Sequence, residues 1–373
     1  MKKTILYQLN QLGYGGTEKA IYTFLQNVDK NKFDPHLFFY TDIGSFDYYR
    51  RKFLSLFSKK YKKHFHQKYI INFARKNDFI KLIGKENFHQ GSNKDFFSLC
   101  HRLPIDILHF NRGNSEDFYT KEINHIPSSI KVCETNIFGK ESNNIYMNKL
   151  SSVFFVSKWL MKKAEWSSKY SSKILYNPIC EPKLTTDLRT IYNISHDAIV
   201  LGRISRPNLD DGKFILKALE EVLNKDTFFL IIGATDKFKD QSKNNTQIIC
   251  IEPTTDEKML SRFYNTIDIL LHYRKEGETF GMNIAEAMIH GKPVISHYSH
   301  EDNAQAELLL EEKTCGIVVE ENNLEQYIDA ILSLIKNSEL RFQYGKNAKY
   351  KSTQMYSEEN VTKLLEKFYD EIN

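Results

Sequence analysis

Short apolar runs alternate with amphipathic stretches along most of the chain, a pattern typical of strands separated by helices. The predicted strands of the first half cover residues 4–9, 36–40, 105–110, 130–134 and 153–157, and residues 173–179 end this half. Those of the second half cover residues 198–202, 228–232, 247–251, 267–271, 293–296 and 316–320. Such an alternation gives parallel sheets with helices on both faces. It therefore predicts an α/β protein with two doubly wound sheets.

A polar stretch with prolines separates the two halves. Pro178 and Pro182 lie beside the polar run 183–188, a composition typical of linkers. At 373 residues the chain is long enough for two domains with separate cores. We predict a first domain over residues 1–180 and a second over 181–355. Since ligands prefer the crevice between two such domains, we expect a central cleft that both domains face.

The composition is that of a globular protein, with 41% hydrophobic and 27% charged residues. The longest apolar runs, such as 267–271, are too short to cross a bilayer, and the N-terminal apolar stretch ends too early for a signal peptide. The five cysteines are scattered and form no C-x-x-C pair. We therefore expect reduced packing cysteines in a cytoplasmic protein, without a zinc site.

Positive charge is concentrated in one segment of the first domain. Residues 50–85 contain twelve lysines and arginines and one aspartate, a local net charge of +11 in a chain whose total is +5. Aromatic residues are interleaved with these lysines, and residues 46–100 are predicted as a mostly helical insertion. Cationic helices with aromatic faces bind anionic bilayers, so the segment predicts a membrane surface as a partner. The alternative is a solvated basic face over an aromatic core stripe. No nucleic-acid-binding module accompanies the patch, so nucleic acid is not an expected partner.

Two glutamates lie on either side of a predicted strand–turn–helix junction. Glu278 follows the strand 267–271, and Glu286 lies in the helix predicted over 281–290. The free N–H groups at the start of a helix favour phosphate, and carboxylates accept hydrogen bonds from hydroxyl groups. The arrangement suits a ligand with a diphosphate and polyols at both ends, which is the chemistry of a nucleotide sugar. The alternative is a plain strand–loop–helix unit whose glutamates are solvated.

Two further loops carry residue types that suit an anion. Residues 13–18 (GYGGTE) connect the first predicted strand to the first helix, although Glu18 stands where the dinucleotide fingerprint requires a third glycine. Arg203 and Arg206 follow the first strand of the second half and can neutralise a diphosphate. A tight turn without a ligand and a pair of solvated arginines are the respective alternatives.

Together these motifs resemble the retaining glycosyltransferases of family 4, which have the GT-B fold. The matching pieces occur in the family's order: Gly15-Gly16-Thr-Glu18, Asn177-Pro-Ile179, Gly202-Arg203, and the E-x7-E signature from Glu278 to Glu286. The resemblance spans nearly the whole chain. It implies two Rossmann-like domains that face each other across a central cleft, and a C-terminal helix, residues 356–373, that packs back toward the N-terminal domain.

The resemblance implies separate roles for the two glutamates. Glu286 would bind the ribose hydroxyls of the donor nucleotide. Glu278 would act in catalysis by holding hydroxyls of the transferred sugar near the anomeric carbon. The turn Thr279, Phe280 and Gly281 would bind the donor as well, with the N–H groups of Phe280 and Gly281 on the distal phosphate.

Other donor-binding positions follow from the same resemblance. Gly15 and Gly16 would close over the diphosphate, and Arg203 would offset its charge. The family usually has a lysine before a glycine in the loop after the Gly-Arg strand. This chain has aspartates there, so Lys213 or Arg206 would take its place.

A second departure from the family concerns the first domain. Many members carry a histidine near the reacting carbon after a middle strand, and residues 132–139 contain none. Asn136 or Glu134 would occupy that space, and we name Asn136 as the second catalytic candidate. His109 ends a neighbouring strand, where a buried and hydrogen-bonded histidine is expected.

The implied activity is that of a retaining hexosyltransferase (EC 2.4) that needs no metal or other cofactor and prefers a UDP-sugar to a GDP-sugar. The acceptor would be a glycan or a lipid-linked molecule in surface polysaccharide or glycolipid synthesis. The protein would be cytoplasmic or peripheral at the inner face of the membrane. Two alternatives remain open: a GT-B nucleotide-sugar epimerase, and a non-catalytic glycan- or membrane-binding subunit with the same fold.

Overall fold

The computed structural model describes residues 2–113, 116–205 and 212–372. The chain forms two compact units. The first comprises Met1–Val156, Leu160–Pro178 and Val361–Asn373, and the second comprises Ser157–Trp159 and Ile179–Asn360. Most of the last helix of the chain, from Val361 onward, therefore belongs to the first unit.

The first unit is built on a parallel seven-stranded sheet with the order β3-β2-β1-β4-β5-β6-β7. Its strands are β1 Lys3–Leu9, β2 Phe33–Tyr40, β3 Phe88–Gly91, β4 Ile107–Arg112, β5 Lys131–Asn136, β6 Leu150–Phe155 and β7 Ser172–Ile174. The helices along this part of the chain are α1 Gly16–Asn27, α2 Phe46–Phe57, α3 Lys59–Tyr69, α4 Lys76–Ile83, α5 Asn93–Arg102, α6 Phe118–Lys121, α7 Asn144–Lys149 and α8 Lys158–Lys163. Every residue of β4 is buried, as expected of a central strand that helices cover on both faces.

The second unit has a parallel six-stranded sheet with the order β10-β9-β8-β11-β13-β15 and a separate pair, β12-β14. Its strands are β8 Ile199–Ile204, β9 Thr227–Ile232, β10 Ile248–Ile251, β11 Ile269–Leu271, β12 Gly277–Glu278, β13 Val294–His297, β14 Asp302–Asn303 and β15 Gly316–Val319. The helices are α9 Gly212–Val222, α10 Asp236–Asn244, α11 Glu257–Thr266, α12 Met282–Ile289, α13 Ala304–Leu310, α14 Leu324–Lys336, α15 Ser338–Met355 and α16 Glu358–Glu371, the last of which mostly belongs to the first unit.

Both sheets reverse their strand order at one point. In the first unit the reversal lies between β1 and β4, and in the second between β8 and β11. The loops after two such strands leave in opposite directions, and the crevice outside their carboxyl ends is where doubly wound sheets bind ligands. We therefore expect ligand-binding residues in the loops after these four strands.

The C-terminal helix α16 is joined to the centre of the first sheet by a chain of buried polar groups. Nδ1 of His109 lies 2.5 Å from the hydroxyl of Tyr369, which donates to the hydroxyl of Tyr7 at 2.9 Å. Nε2 of His109 lies 2.8 Å from the hydroxyl of Thr135. Burial lowers the pKa of His109 to about 3, so the ring is neutral. The expectation of a buried, hydrogen-bonded histidine is confirmed.

Two features differ from the sequence pattern. Residues 46–100, predicted as mostly helical, also contain β3, a short edge strand that pairs with β2. The tail is helical as predicted, but it breaks at Asn337 and again near Tyr356. In the part of the chain that the structure describes, no helix is both long and apolar enough to cross a membrane.

Candidate functional site

The segment from β11 to α12 carries the two glutamates singled out above. After β11 the chain makes a loop to β12, which pairs in parallel with β14 through Gly277–Asp302 and Glu278–Asn303. Gly281 then caps α12 in a left-handed conformation, with φ of +98°. Glu278 therefore lies before the helix and Glu286 lies in its second turn, as the spacing predicted.

The carboxylate of Glu278 is held by two side chains of the preceding loop. Nε2 of His272 lies 3.3 Å from Oε1, and the Arg274 guanidinium lies 3.4 Å from Oε2. The backbone N–H of Glu278 donates to the side-chain oxygen of Gln305 at 3.0 Å. A carboxylate only accepts, so Nε2 of His272 carries a proton, and in the neutral ring Nδ1 accepts from Ser296, 2.8 Å away. The carboxylate is fixed in orientation while its side chain remains 17% exposed.

The carboxylate of Glu286 is held by Tyr264 of α11. Its Oε2 accepts from the Tyr264 hydroxyl at 2.7 Å, and the Tyr264 ring stacks on His290. Burial, with a further contribution from Glu286, raises the pKa of Tyr264, which therefore stays a donor. This contact positions the nearly buried side chain of Glu286.

Contacts with Ser157 and Tyr356 fix the turn between the two glutamates. The carbonyl of Thr279 accepts from the hydroxyl of Ser157 at 2.7 Å, and the ring of Phe280 packs edge-on against Tyr356. Because Gly281 has no side chain, the first turn of α12 receives no side-chain cap. The backbone N–H groups of that turn therefore favour an anion at the N-terminal end of α12.

Gly277 is required by two independent constraints. Its φ is +70°, and a Cβ placed on it would lie 1.7 Å from the carbonyl oxygen of Asp302, across the β12–β14 pair. This oxygen belongs to the backbone and cannot rotate away. The residue before Glu278 is thus restricted to glycine by the pairing that positions the glutamate.

We expect Gly277→Ala to lower the free energy of unfolding by roughly 3 kcal/mol or more, because strain at positive φ adds to a backbone overlap. Gly291→Ala is the matched control, since Gly291 has φ of +71° but its Cβ would meet no atom closer than 3.6 Å. This control should cost only about 1 kcal/mol. Urea unfolding followed by circular dichroism measures both. Equal losses would mean that the overlap at Gly277 is relieved by movement of β14.

Arg203 lies at the end of β8, on one side of the strand reversal in the second unit. It is 3% exposed, and its guanidinium donates to the carbonyl of Tyr273 at 2.9 Å, which joins β8 to the loop after β11. The side-chain amide of Asn283 donates to the carbonyl of Ile204 at 3.3 Å. The end of β8 and the first turn of α12 are therefore neighbours, and Arg203 lies close to the Glu278–Glu286 segment.

The remaining predicted residues of the second unit are less informative. Lys213 is exposed in the first turn of α9. Arg206 and the two aspartates of the same loop lie outside the described residues, so the substitution of the family's usual lysine stays a prediction.

The glycine loop of the first unit leads into α1, for which Gly15 is the N-cap without a side-chain cap. A Cβ on Gly15 would lie 2.1 Å from Oε2 of Glu18, a nearly buried side chain that folds back over the loop. Gly16 is the first residue of the helix. A side chain at position 15 would therefore require Glu18 to move, and a role of both glycines toward the donor stays a prediction.

Asn136 ends β5 and is nearly buried. Its amide nitrogen donates to Glu134 and to the carbonyl of Lys140, both at 2.8 Å, and its oxygen accepts from the N–H of Gly139 at 2.8 Å. These bonds hold the turn after β5. Catalysis by Asn136 stays a prediction, and its geometry gives it at least this supporting role.

Glu134 belongs to a buried polar cluster next to Asn136. Its Oε2 accepts from the Tyr146 hydroxyl at 2.6 Å and lies 3.4 Å from Nε of Arg112, which also pairs with Asp117. Burial raises the pKa of Glu134 against the opposing effect of Arg112. Arg112 ends β4, on one side of the strand reversal of the first unit, and sequence reasoning did not single it out.

Sequence reasoning also left out His272, Arg274 and Tyr264, which hold the two glutamates. The available signal for His272 was a polar residue at the carboxyl end of a buried strand. Among the predicted residues, the second unit brings together Arg203, Glu278, the turn 279–281 and Glu286, whereas Gly15, Gly16 and Asn136 lie in the first unit.

Comparison with known sequences gives a partial match. Residues 195–337 match the family model described as Glycosyl transferases group 1. The matched range contains Arg203, Glu278 and Glu286. No curated protein sequence matches the chain significantly.

Solved structures match over the whole length. HepE of Anabaena in complex with UDP has a TM-score of 0.70 at 14% identity, with 100% of both chains covered. A glycosyltransferase of Rickettsia africae has a TM-score of 0.70 at 18% identity, covering 100% of this chain and 98% of that one. Sucrose-phosphate synthase of Thermosynechococcus elongatus has a TM-score of 0.70 at 13% identity, covering 100% and 99%. The chain thus has the two-unit GT-B fold predicted from its sequence, and residues 195–337 resemble glycosyl transferases group 1.

Proposed function

We propose that the protein is a glycosyltransferase that moves a sugar from a nucleoside diphosphate donor to a hydroxyl group of an acceptor. The observation that carries the proposal is the placement of two oriented carboxylates, Glu278 and Glu286, before and within a helix whose N-terminus lacks a side-chain cap. Arg203 lies next to this helix at the strand reversal of the second sheet. The family match over residues 195–337 supports the same activity.

Each part of the donor is assigned to a different group of residues. Glu286 would accept the ribose hydroxyls, and its orientation is set by Tyr264. The first-turn amides of α12 and the charge of Arg203 would bind the diphosphate. Glu278 would accept hydrogen bonds from the hydroxyls of the transferred sugar. His272 and Arg274 would orient its carboxylate.

The proposed base is uridine. HepE of Anabaena, which shares the fold, has been solved with UDP and with UDP-glucose. We extend this donor class to the present chain and prefer it to GDP-sugars.

We propose transfer with retention of anomeric configuration and without a metal ion. The bond between the anomeric carbon and the oxygen of the distal phosphate breaks, and a bond to the acceptor oxygen forms on the same face of the sugar. The electron pair of the broken bond stays on the phosphate oxygen, so negative charge develops there until that oxygen takes the proton of the acceptor hydroxyl and UDP leaves. Amide dipoles and Arg203 would stabilise that charge as it develops.

The proposed acceptor is a glycan or a lipid-linked molecule, in the synthesis of a surface polysaccharide or glycolipid. The basic segment 50–85 supports the proposal that the enzyme acts at the cytoplasmic surface of a membrane, because its net charge of +11 complements anionic lipids. We propose that the acceptor binds to the first unit, where Arg112 and Asn136 end two central strands.

A donor screen tests the proposal. UDP and UDP-sugars should raise the melting temperature, since a ligand of the folded state adds about 2.7 kcal/mol at a concentration 100 times its dissociation constant. UDP release from the active donor should then require an acceptor from a crude membrane fraction. Binding without release in any fraction would indicate a non-catalytic subunit. Conversion of the donor without acceptor would indicate an epimerase or hydrolase, and no shift with any nucleotide sugar would contradict the donor site itself.

A further inference from the structure

Helix α2 exposes a continuous apolar face. Phe46, Tyr49, Phe53, Leu56 and Phe57 are between 59% and 82% exposed, and no residue of α2 is buried. At about 100° per residue these five side chains fall within an arc of about 100°, so they form one stripe along the helix. Scattered exposed apolar residues are ordinary, but a stripe of this kind on one helix indicates a contact surface. We call these five residues the apolar face of α2.

The opposite side of α2 is occupied by contacts within the first unit. The Tyr48 ring lies 4.9 Å from Tyr69 and 5.8 Å from Phe65 of α3, measured between centroids. Helix α3 is in turn fixed by Asp42, whose carboxylate accepts from Lys68 at 2.6 Å and from the Tyr69 hydroxyl at 3.2 Å. Some aromatic residues of the basic segment therefore pack against one another, and this packing leaves the apolar face of α2 pointing outward.

Basic residues border this face. Arg50 and Lys52 lie on its two sides along α2, and the exposed lysines at 59, 60, 62 and 63 follow on α3. The acidic groups nearby are paired: Asp47 lies 2.9 Å from Arg50, and Asp42 lies against Lys68. The surface is thus apolar at its centre and cationic at its edges, which is the pattern of helices that lie in the headgroup region of an anionic bilayer.

We propose that the apolar face of α2 inserts into the headgroup region of an anionic membrane, with the lysines of α3 on the lipid phosphates. Charge decides between this occupant and a second copy of the chain. Two such faces in contact would bring their cationic edges together, and like charges oppose that contact. An anionic bilayer offers apolar depth and opposite charge at once. The proposal names the residues through which segment 50–85 would contact the membrane surface proposed above, and it does not depend on sugar transfer.

Vesicle flotation of the full chain without nucleotide tests the proposal. We expect binding to vesicles of phosphatidylcholine with phosphatidylglycerol, weakened by salt, and little binding to phosphatidylcholine alone. Phe53→Ser with Phe57→Ser should weaken binding roughly 10-fold or more, by loss of apolar area. Glutamate at Lys59, Lys60, Lys62 and Lys63 should weaken it on the order of 100-fold or more.

Matched controls lie on the second unit. Phe342 is 72% exposed on α15, so Phe342→Ser removes an equally exposed ring. Lys239→Glu with Lys243→Glu reverses two charges on α10. Both controls should bind as wild type, and melting curves show whether each variant folds. Equal loss in the controls and in the α2 variants would overturn the assignment of the surface.

Tryptophan fluorescence gives a second, independent measurement. Phe57→Trp should shift its emission to shorter wavelength on anionic vesicles, whereas Phe342→Trp should not. Absence of wild-type binding to anionic vesicles, or an unshifted Phe57→Trp signal in the bound state, would overturn the proposal. A dimer that the Phe53→Ser, Phe57→Ser variant abolishes, without vesicle binding by wild type, would assign the face to a second copy instead.

Discussion

Glutamine at position 278 is expected to lower the turnover number for sugar transfer by about 100-fold or more while changing UDP affinity by less than about 3-fold. The amide keeps the volume of the side chain but removes the charge that strengthens hydrogen bonds to sugar hydroxyls. UDP has no transferred sugar, so under the proposed role of Glu278 its binding would not use this carboxylate. Turnover is measured by UDP release with the best acceptor, and affinity by titration calorimetry.

Glu276→Gln is the matched control for this prediction. Glu276 lies in the same loop, its side chain is 48% exposed, and its carboxylate is 3.9 Å from Nε of Arg274. It should keep wild-type turnover. A Glu278→Gln variant that transfers sugar at the wild-type rate would remove Glu278 from the sugar end of the donor, and a large loss of UDP affinity would move it to the nucleotide end.

Glutamine at position 286 is expected to weaken UDP binding roughly 10- to 100-fold, because a charged acceptor of the ribose hydroxyls becomes a neutral one. UMP should weaken by the same factor, since it shares the ribose. The Tyr264 hydroxyl can still donate to the amide oxygen, so we expect the melting temperature to change little. Calorimetric titration with UDP and UMP measures the effect.

Glu325→Gln, on an exposed position of α14, controls for the loss of one negative charge in the second unit. Tyr264→Phe separates positioning from binding. It leaves the carboxylate of Glu286 in place but removes its 2.7 Å partner, so UDP affinity should fall by less than in Glu286→Gln. UDP that binds Glu286→Gln as tightly as wild type would contradict the assignment of Glu286 to the nucleotide.

The sequence predicted the order of elements well because it depends on local features. The apolar run before Glu278, the glycine at 281 and the helical spacing that follows are all within a few residues of one another. Most strands of the two large sheets were predicted in the same way. The short strand Phe88–Gly91 was missed, because it is an edge strand of four residues without an apolar run.

Other contacts of the structure were not predictable, since they join residues at distant positions. Tyr264 lies 22 residues before Glu286, and His109 meets Tyr369 across 260 residues. Such contacts depend on strand order and helix packing, which periodicity does not encode. The basic segment gives a further example: its composition indicated charge and aromatic content, but only packing decided which rings are covered and which face outward.

The sequence by itself therefore determined the two α/β halves, the Glu278–Glu286 spacing and the concentration of charge at 50–85. These follow from backbone periodicity, turn chemistry and composition, which are properties of neighbouring residues. The tertiary structure alone decided that Arg203 meets the loop after β11, that Tyr264 orients Glu286, and that the apolar face of α2 points outward. Those outcomes depend on which strands pair and which surfaces bury each other, and a parallel sheet makes these choices between residues far apart in the chain.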